Sequence, residues 1–132
     1  MRRTAQVVGA LSCRRILVLE DEYIIAAEIK HWLEQEGAAV IGPFPNAAAA
    51  LQALADPAAA PDAGVLDINL GRGGTAYPVA ERLDALGVRY IFATGNNQDV
   101  GGDAFSAKPR LEKPVSTRAL LRAVEDLLSD RA

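Results

Sequence analysis

The chain has 132 residues, half of them apolar, with 14 basic and 17 acidic side chains and a net charge of −3. That length fits one domain, and the apolar half is enough for a sizeable core. The mild acidity gives no electrostatic case for nucleic acid or an anionic membrane surface, no apolar run is long enough to span a bilayer, and the single cysteine, Cys13, excludes an internal disulfide and fits a reducing, cytoplasmic compartment.

Met1-Arg2-Arg3 and the short apolar stretch 5–13 resemble a leader only faintly, because Thr4, Gln6 and Ser12 interrupt them and a strand follows at once. Residues 1–14 therefore read as an N-terminal extension, frayed or one short helix, ahead of a domain over 15–132. Residues 16–19 are continuously apolar, as in a strand buried on both faces, and Glu20-Asp21 follows directly. Over 21–36, Ile25, Ile29, Trp32 and Leu33 recur at helical spacing among Glu28, Lys30, Glu34 and Glu36, and Gly37 is a stop. Residues 39–41 form a short strand that Gly42-Pro43 breaks. Asn46 caps a helix over 47–55, with Pro57 past its end. Residues 64–67 form a third strand ending in Asp67. A helix over 78–86 precedes Gly87, and residues 89–93 form a fourth strand ending at Thr94-Gly95. The segment 96–108 has adjacent glycines and few apolar residues, which predicts a fourth helix that is short, irregular or missing. Residues 109–112 form a brief fifth strand before Lys113-Pro114. Ser116 caps a last helix whose stripe is Leu120, Leu121, Val124, Leu127 and Leu128.

Strands and helices alternate almost throughout, with no repeat, linker or second domain. That order predicts an α/β fold: a flavodoxin-like, doubly wound, five-stranded parallel sheet of strand order 2-1-3-4-5. In such a sheet Glu20-Asp21, Asp67, Thr94 and Lys113 all arrive at one edge, where ligands bind. Each has an ordinary reading alone: a helix start, a turn residue, a strand end, a solvated lysine. All four after successive strands point to one shared site. Clustered carboxylates need a cation among them, and hard oxygens with room for water suit Mg²⁺. A carboxylate can also act as a nucleophile and form an aspartyl phosphate.

With these residues in this order, the chain resembles the receiver domain of bacterial two-component response regulators over residues 15–129. The resemblance implies that Asp67 accepts a phosphoryl group from a phosphohistidine, while Thr94 and Lys113 hold its oxygens. It implies Mg²⁺ bound by Asp21 and Asp67 directly, by Glu20 through water and by the backbone carbonyl of Asn69, and a cis bond before Pro114. Phe92-Ala93-Thr94-Gly95, with 109–114, is also similar to the FAT-GUARD group, many of which are single-domain regulators in general stress signalling. One departure stands out: most receivers have Tyr or Phe three residues before the lysine, and here Arg110 stands there. An arginine is costly to bury unpaired, so an aromatic switch is not expected.

The resemblance implies a stand-alone, cytoplasmic receiver. Its partners would be a histidine kinase and/or a histidine phosphotransfer protein, with no nucleic acid or membrane, as a monomer or weak homodimer. It would not be an enzyme beyond self-phosphorylation and slow autodephosphorylation. The alternatives are a phosphate shuttle or sink in a phosphorelay and a non-phosphorylated adaptor. A small Mg²⁺ phosphatase of the haloacid-dehalogenase type would want Asp-x-Asp, and the chain has Asp67-Ile68-Asn69. His31 reads as a helix surface residue, Trp32 as core or partial interface, and Arg72-Gly73-Gly74 as a flexible loop whose spacing matches no phosphate-binding motif.

Overall fold

Side chains alternate across a strand, so a continuously apolar strand must be covered on both faces. The first strand shows this directly: Leu17 and Leu19 join one core cluster and Ile16 and Val18 the other, all at most 1% exposed. The computed structural model describes residues 9–95, 105 and 108–129. In chain order the elements are β1 (Arg15–Leu19), α1 (Tyr23–Gln35), β2 (Ala39–Phe44), α2 (Ala47–Ala53), a 3-10 turn (Pro57–Ala59), β3 (Ala63–Asp67), a second 3-10 turn (Gly71–Gly73), α3 (Tyr77–Ala85), β4 (Arg89–Thr94), β5 (Arg110–Glu112) and α4 (Thr117–Ser129). The sheet is parallel throughout, in the order β2-β1-β3-β4-β5. This is the expected flavodoxin-like topology. The expectation of a short or missing helix between β4 and β5 falls on residues outside the described ones.

Helices α2 and α3 pack on one face through Ala50, Val79, Ala80 and Leu83; α1 and α4 pack on the other through Ile29, Leu33, Leu120 and Val124. Trp32 lies half-buried against that second cluster. Asn46 caps α2, its side chain accepting the Ala49 N–H at 2.8 Å, and Ser116 Oγ accepts the Ala119 N–H at 3.1 Å ahead of α4. Both caps follow the sequence expectation.

Two features differ from that expectation. Gly42-Pro43 does not end the second strand: β2 continues to Phe44, with the register shifting between Leu17 and Leu19. Gly42 has φ +106° and the Gly42–Pro43 bond is cis. This is an irregularity on an edge strand, where a proline without an N–H costs the ladder least. The described part of the N-terminal segment is neither frayed nor helical. Residues 9–14 make turns under the C-terminal end of α1, where the Leu11 N–H donates to the Glu36 carbonyl at 2.9 Å. Leu11 is fully buried among Ile16, Ile29 and Leu33.

Candidate functional site

Register brings the site together. Leu19 of β1 pairs with Leu66 of β3, Asp67 with Ala93 of β4, and Thr94 with Glu112 of β5. Glu20, Asp67, Thr94 and Lys113 therefore leave neighbouring strands at the same C-terminal edge. The Lys113 N–H donates to the Thr94 carbonyl at 2.8 Å, which extends the β4–β5 pairing by one residue. The Lys113–Pro114 bond is cis, as the resemblance implies.

The Lys113 ammonium lies 2.9 Å from Glu20 Oε1 and 3.3 Å from Asp67 Oδ1. Glu20 and Asp67 are 2% and 5% exposed, so the site sits deeper than a surface carboxylate cluster, and Asp21 alone of the three is open to solvent. The other Glu20 oxygen, Oε2, accepts the Glu22 N–H at the start of α1 at 3.1 Å. Glu20 holds Lys113 more closely than Asp67 does, which leaves Asp67 buried beside a negative charge. Burial first, then the Glu20 charge, pushes the Asp67 carboxyl up to about 8 against the pull of Lys113. Burial opposes the Lys113 charge, but the hydrogen bond to Glu20 and the charges of Asp67 and Glu20 outweigh it and raise its pKa.

A divalent cation fits these donors. Carboxylate oxygens of Glu20, Asp21 and Asp67 lie within 4.8 Å of one another. Octahedral Mg²⁺ takes oxygens at about 2.1 Å, which places them roughly 3–4 Å apart, so a small contraction closes the set. Asn69 follows Asp67 by two residues, in the loop that leaves β3. Its side chain is engaged, accepting the Gly71 N–H at 2.9 Å, and its bridge to Thr75 uses flanking groups, Leu70 N–H to Gly74 and Ala76 N–H to Ile68. The bridge thus does not use the Asn69 carbonyl, the group the resemblance assigns to the metal.

Arg72-Gly73-Gly74, read from the sequence as a flexible loop, takes part in a hydrogen-bonded turn. Gly73 N–H donates to Leu70 and Gly74 N–H to Gly71, closing a 3-10 turn, and Leu70 is 2% exposed. Arg110 is half-buried but not unpaired: it donates to the Phe105 carbonyl at 3.0 Å, and its guanidinium lies 5.7 Å from the Phe92 ring centre. Phe105 in turn stacks on Tyr77 at 4.9 Å. Sequence reasoning had no signal for this contact, because its partner lies in a segment without periodicity. His31 is exposed on α1, as expected.

No family model and no curated protein sequence matches the chain. Solved structures do. The chain is 34% identical to SdrG from Sphingomonas melonis, over 92% of this chain and 99% of that one, with a TM-score of 0.74. It is 30% identical to the signal receiver domain of a modulated diguanylate cyclase from Desulfovibrio desulfuricans, over 87% and 93% of the two chains, with a TM-score of 0.73. This chain is a response-regulator receiver domain. A response regulator receiver protein from Burkholderia phymatum, 27% identical, matches 90% of this receiver domain and 98% of its own length at a TM-score of 0.75. Among the described residues of the receiver, no helix is long and apolar enough to cross a membrane.

Proposed function

We propose that this receiver accepts a phosphoryl group from a phosphohistidine on Asp67. The observation that carries the reading is the single cluster of Asp67, Glu20, Asp21 and Lys113, with Thr94 at the same sheet edge. In the step, an Asp67 carboxylate oxygen attacks phosphorus, an O–P bond forms and the P–N bond breaks. The electron pair stays on the imidazole nitrogen, which takes up a proton. Lys113 and Thr94 hold the phosphoryl oxygens, and Glu20 orients the Lys113 ammonium. Glu20, Asp21, Asp67 and the Asn69 carbonyl would hold Mg²⁺, which when bound supplies positive charge that ionises Asp67 and screens the incoming phosphoryl group.

A histidine kinase or histidine phosphotransfer protein is the donor this chemistry requires. Tyr23 and Ile24 at the start of α1 are 85% and 72% exposed beside the site, apolar surface suited to such a partner. A groove of about 620 Å³ lined by Glu20, Asp21, Tyr23, Ala27, Pro43 and Pro45 adjoins them. The Phe92–Gly95 sequence supports membership of the FAT-GUARD group and signalling by protein contacts. Incubation with a small phosphodonor and Mg²⁺ tests the reading. The expected outcome is one phosphoryl group per chain that persists after the donor is removed. No labelling would favour an adaptor, and continuous phosphate release would favour a phosphatase.

A further inference from the structure

The turn Gly71–Gly73 joins Asn69 to the rest of its loop; it faces Asp21 on one side and is seated against the β2–α2 connection on the other. On one side the Asp21 Oδ2 atom lies 3.6 Å from where a Cβ on Gly71 would stand, and Gly71 has φ +60°. On the other, a Cβ on Gly73 would meet Asn46 Cβ at 2.9 Å, and Asn46 Cα and the Pro45 carbonyl oxygen at 3.2 Å. No Cβ fits at the first of these distances without movement. Leu70 is anchored in the core and the turn is closed by its own hydrogen bonds, so the loop has little room to absorb a shift. The wall it rests on is firm, because Asn46 is the N-cap of α2.

We propose that Gly73 and Asn46 form a brace that sets the height of the Asn69 carbonyl over the Glu20, Asp21 and Asp67 carboxylates, and so positions the donor set for its divalent cation. Gly73 touches no ligand in this account and acts through Asn69, as a positioning residue. The inference rests on the Mg²⁺ reading above and adds to it a requirement from the β2–α2 connection. A residue that orients a metal ligand from outside typically changes affinity by about 10-fold or more.

The test is Mg²⁺ titration, followed by Trp32 fluorescence or calorimetry, of the parent, Gly73→Ala, Asn46→Ala and the double variant Gly73→Ala/Asn46→Gly. The parent reading comes first: no Mg²⁺ binding there defeats the proposed function and not the brace. Given binding, Gly73→Ala loses about 10-fold in Mg²⁺ affinity, and the double variant, with the facing Cβ removed, recovers part of it. Asn46→Ala keeps that Cβ and loses the cap, so its melting temperature falls and its Mg²⁺ affinity drops by less than that of Gly73→Ala. If Gly73→Ala does not fold, Asn46→Thr, which adds a branch at the abutting carbon and keeps a capping hydroxyl, carries the test and also loses affinity. Unchanged affinity in the variant that folds would overturn the brace, and so would a Gly73→Ala loss that Asn46→Gly leaves untouched.

Discussion

Asp67 pays for its position with its proton affinity. Its folded pKa of about 8 lies above the 3.8 of an ordinary aspartate, so without metal the folded chain keeps a proton that the unfolded chain has released. That contribution to stability is largest below about pH 4 and is lost as pH rises to about 8. In chelator, the parent should therefore lose melting temperature across that range relative to Asp67→Asn, which has no proton to lose there and should be the more stable protein at the alkaline end. Mg²⁺ binds the assembled carboxylates and not the scattered chain. At ten times its dissociation constant it should add about 1.4 kcal/mol, or roughly 3–6 °C, with a smaller gain in Asp67→Asn, whose amide is a poorer ligand. Parallel pH curves for the two proteins, or an equal gain from Mg²⁺, would contradict this. The residues behind it were legible in the sequence because each follows an apolar run. Gly73 and Arg110 were not, because their meaning lies in Asn46 and Phe105, which no local pattern ties to them.

Among the elements, those with a strong period were legible in the sequence. The stripe of α4 and the runs of β1, β3 and β4 each have one arrangement that buries their apolar residues. The second strand was read too short because a proline and a glycine stop most strands, and only the edge position of β2 permits its continuation through them. The N-terminal segment was read as an appendage because its apolar stretch is short and interrupted by Thr4, Gln6 and Ser12. In the fold Leu11 fills the space between β1 and the C-terminal half of α1, fully buried. Leu11→Ala should cost about 2–4 kcal/mol in urea unfolding, while Mg²⁺ affinity stays unchanged, because the segment lies at the opposite end of α1 from the carboxylates. A loss below about 0.5 kcal/mol would show that the segment is not part of the core.

At the scale of the molecule, function follows from topology. A parallel sheet ends every strand at the same edge, so four groups spread over some ninety residues of sequence are gathered there. This is why the grouping of these strand-end residues was readable before any fold was known. The contact of Arg110 with Phe105, and of Phe105 with Tyr77, is not specified by the order of elements. The central claim is that the edge carries a carboxylate nucleophile. Its most direct measurement is the chemistry of the label after reaction with a phosphodonor. The account predicts a phosphoryl group on Asp67 that needs Mg²⁺, is released by base and by hydroxylamine as a mixed anhydride must be, and is absent from Asp67→Asn. An acid-stable phosphoserine or phosphothreonine, or full labelling of Asp67→Asn, would contradict it.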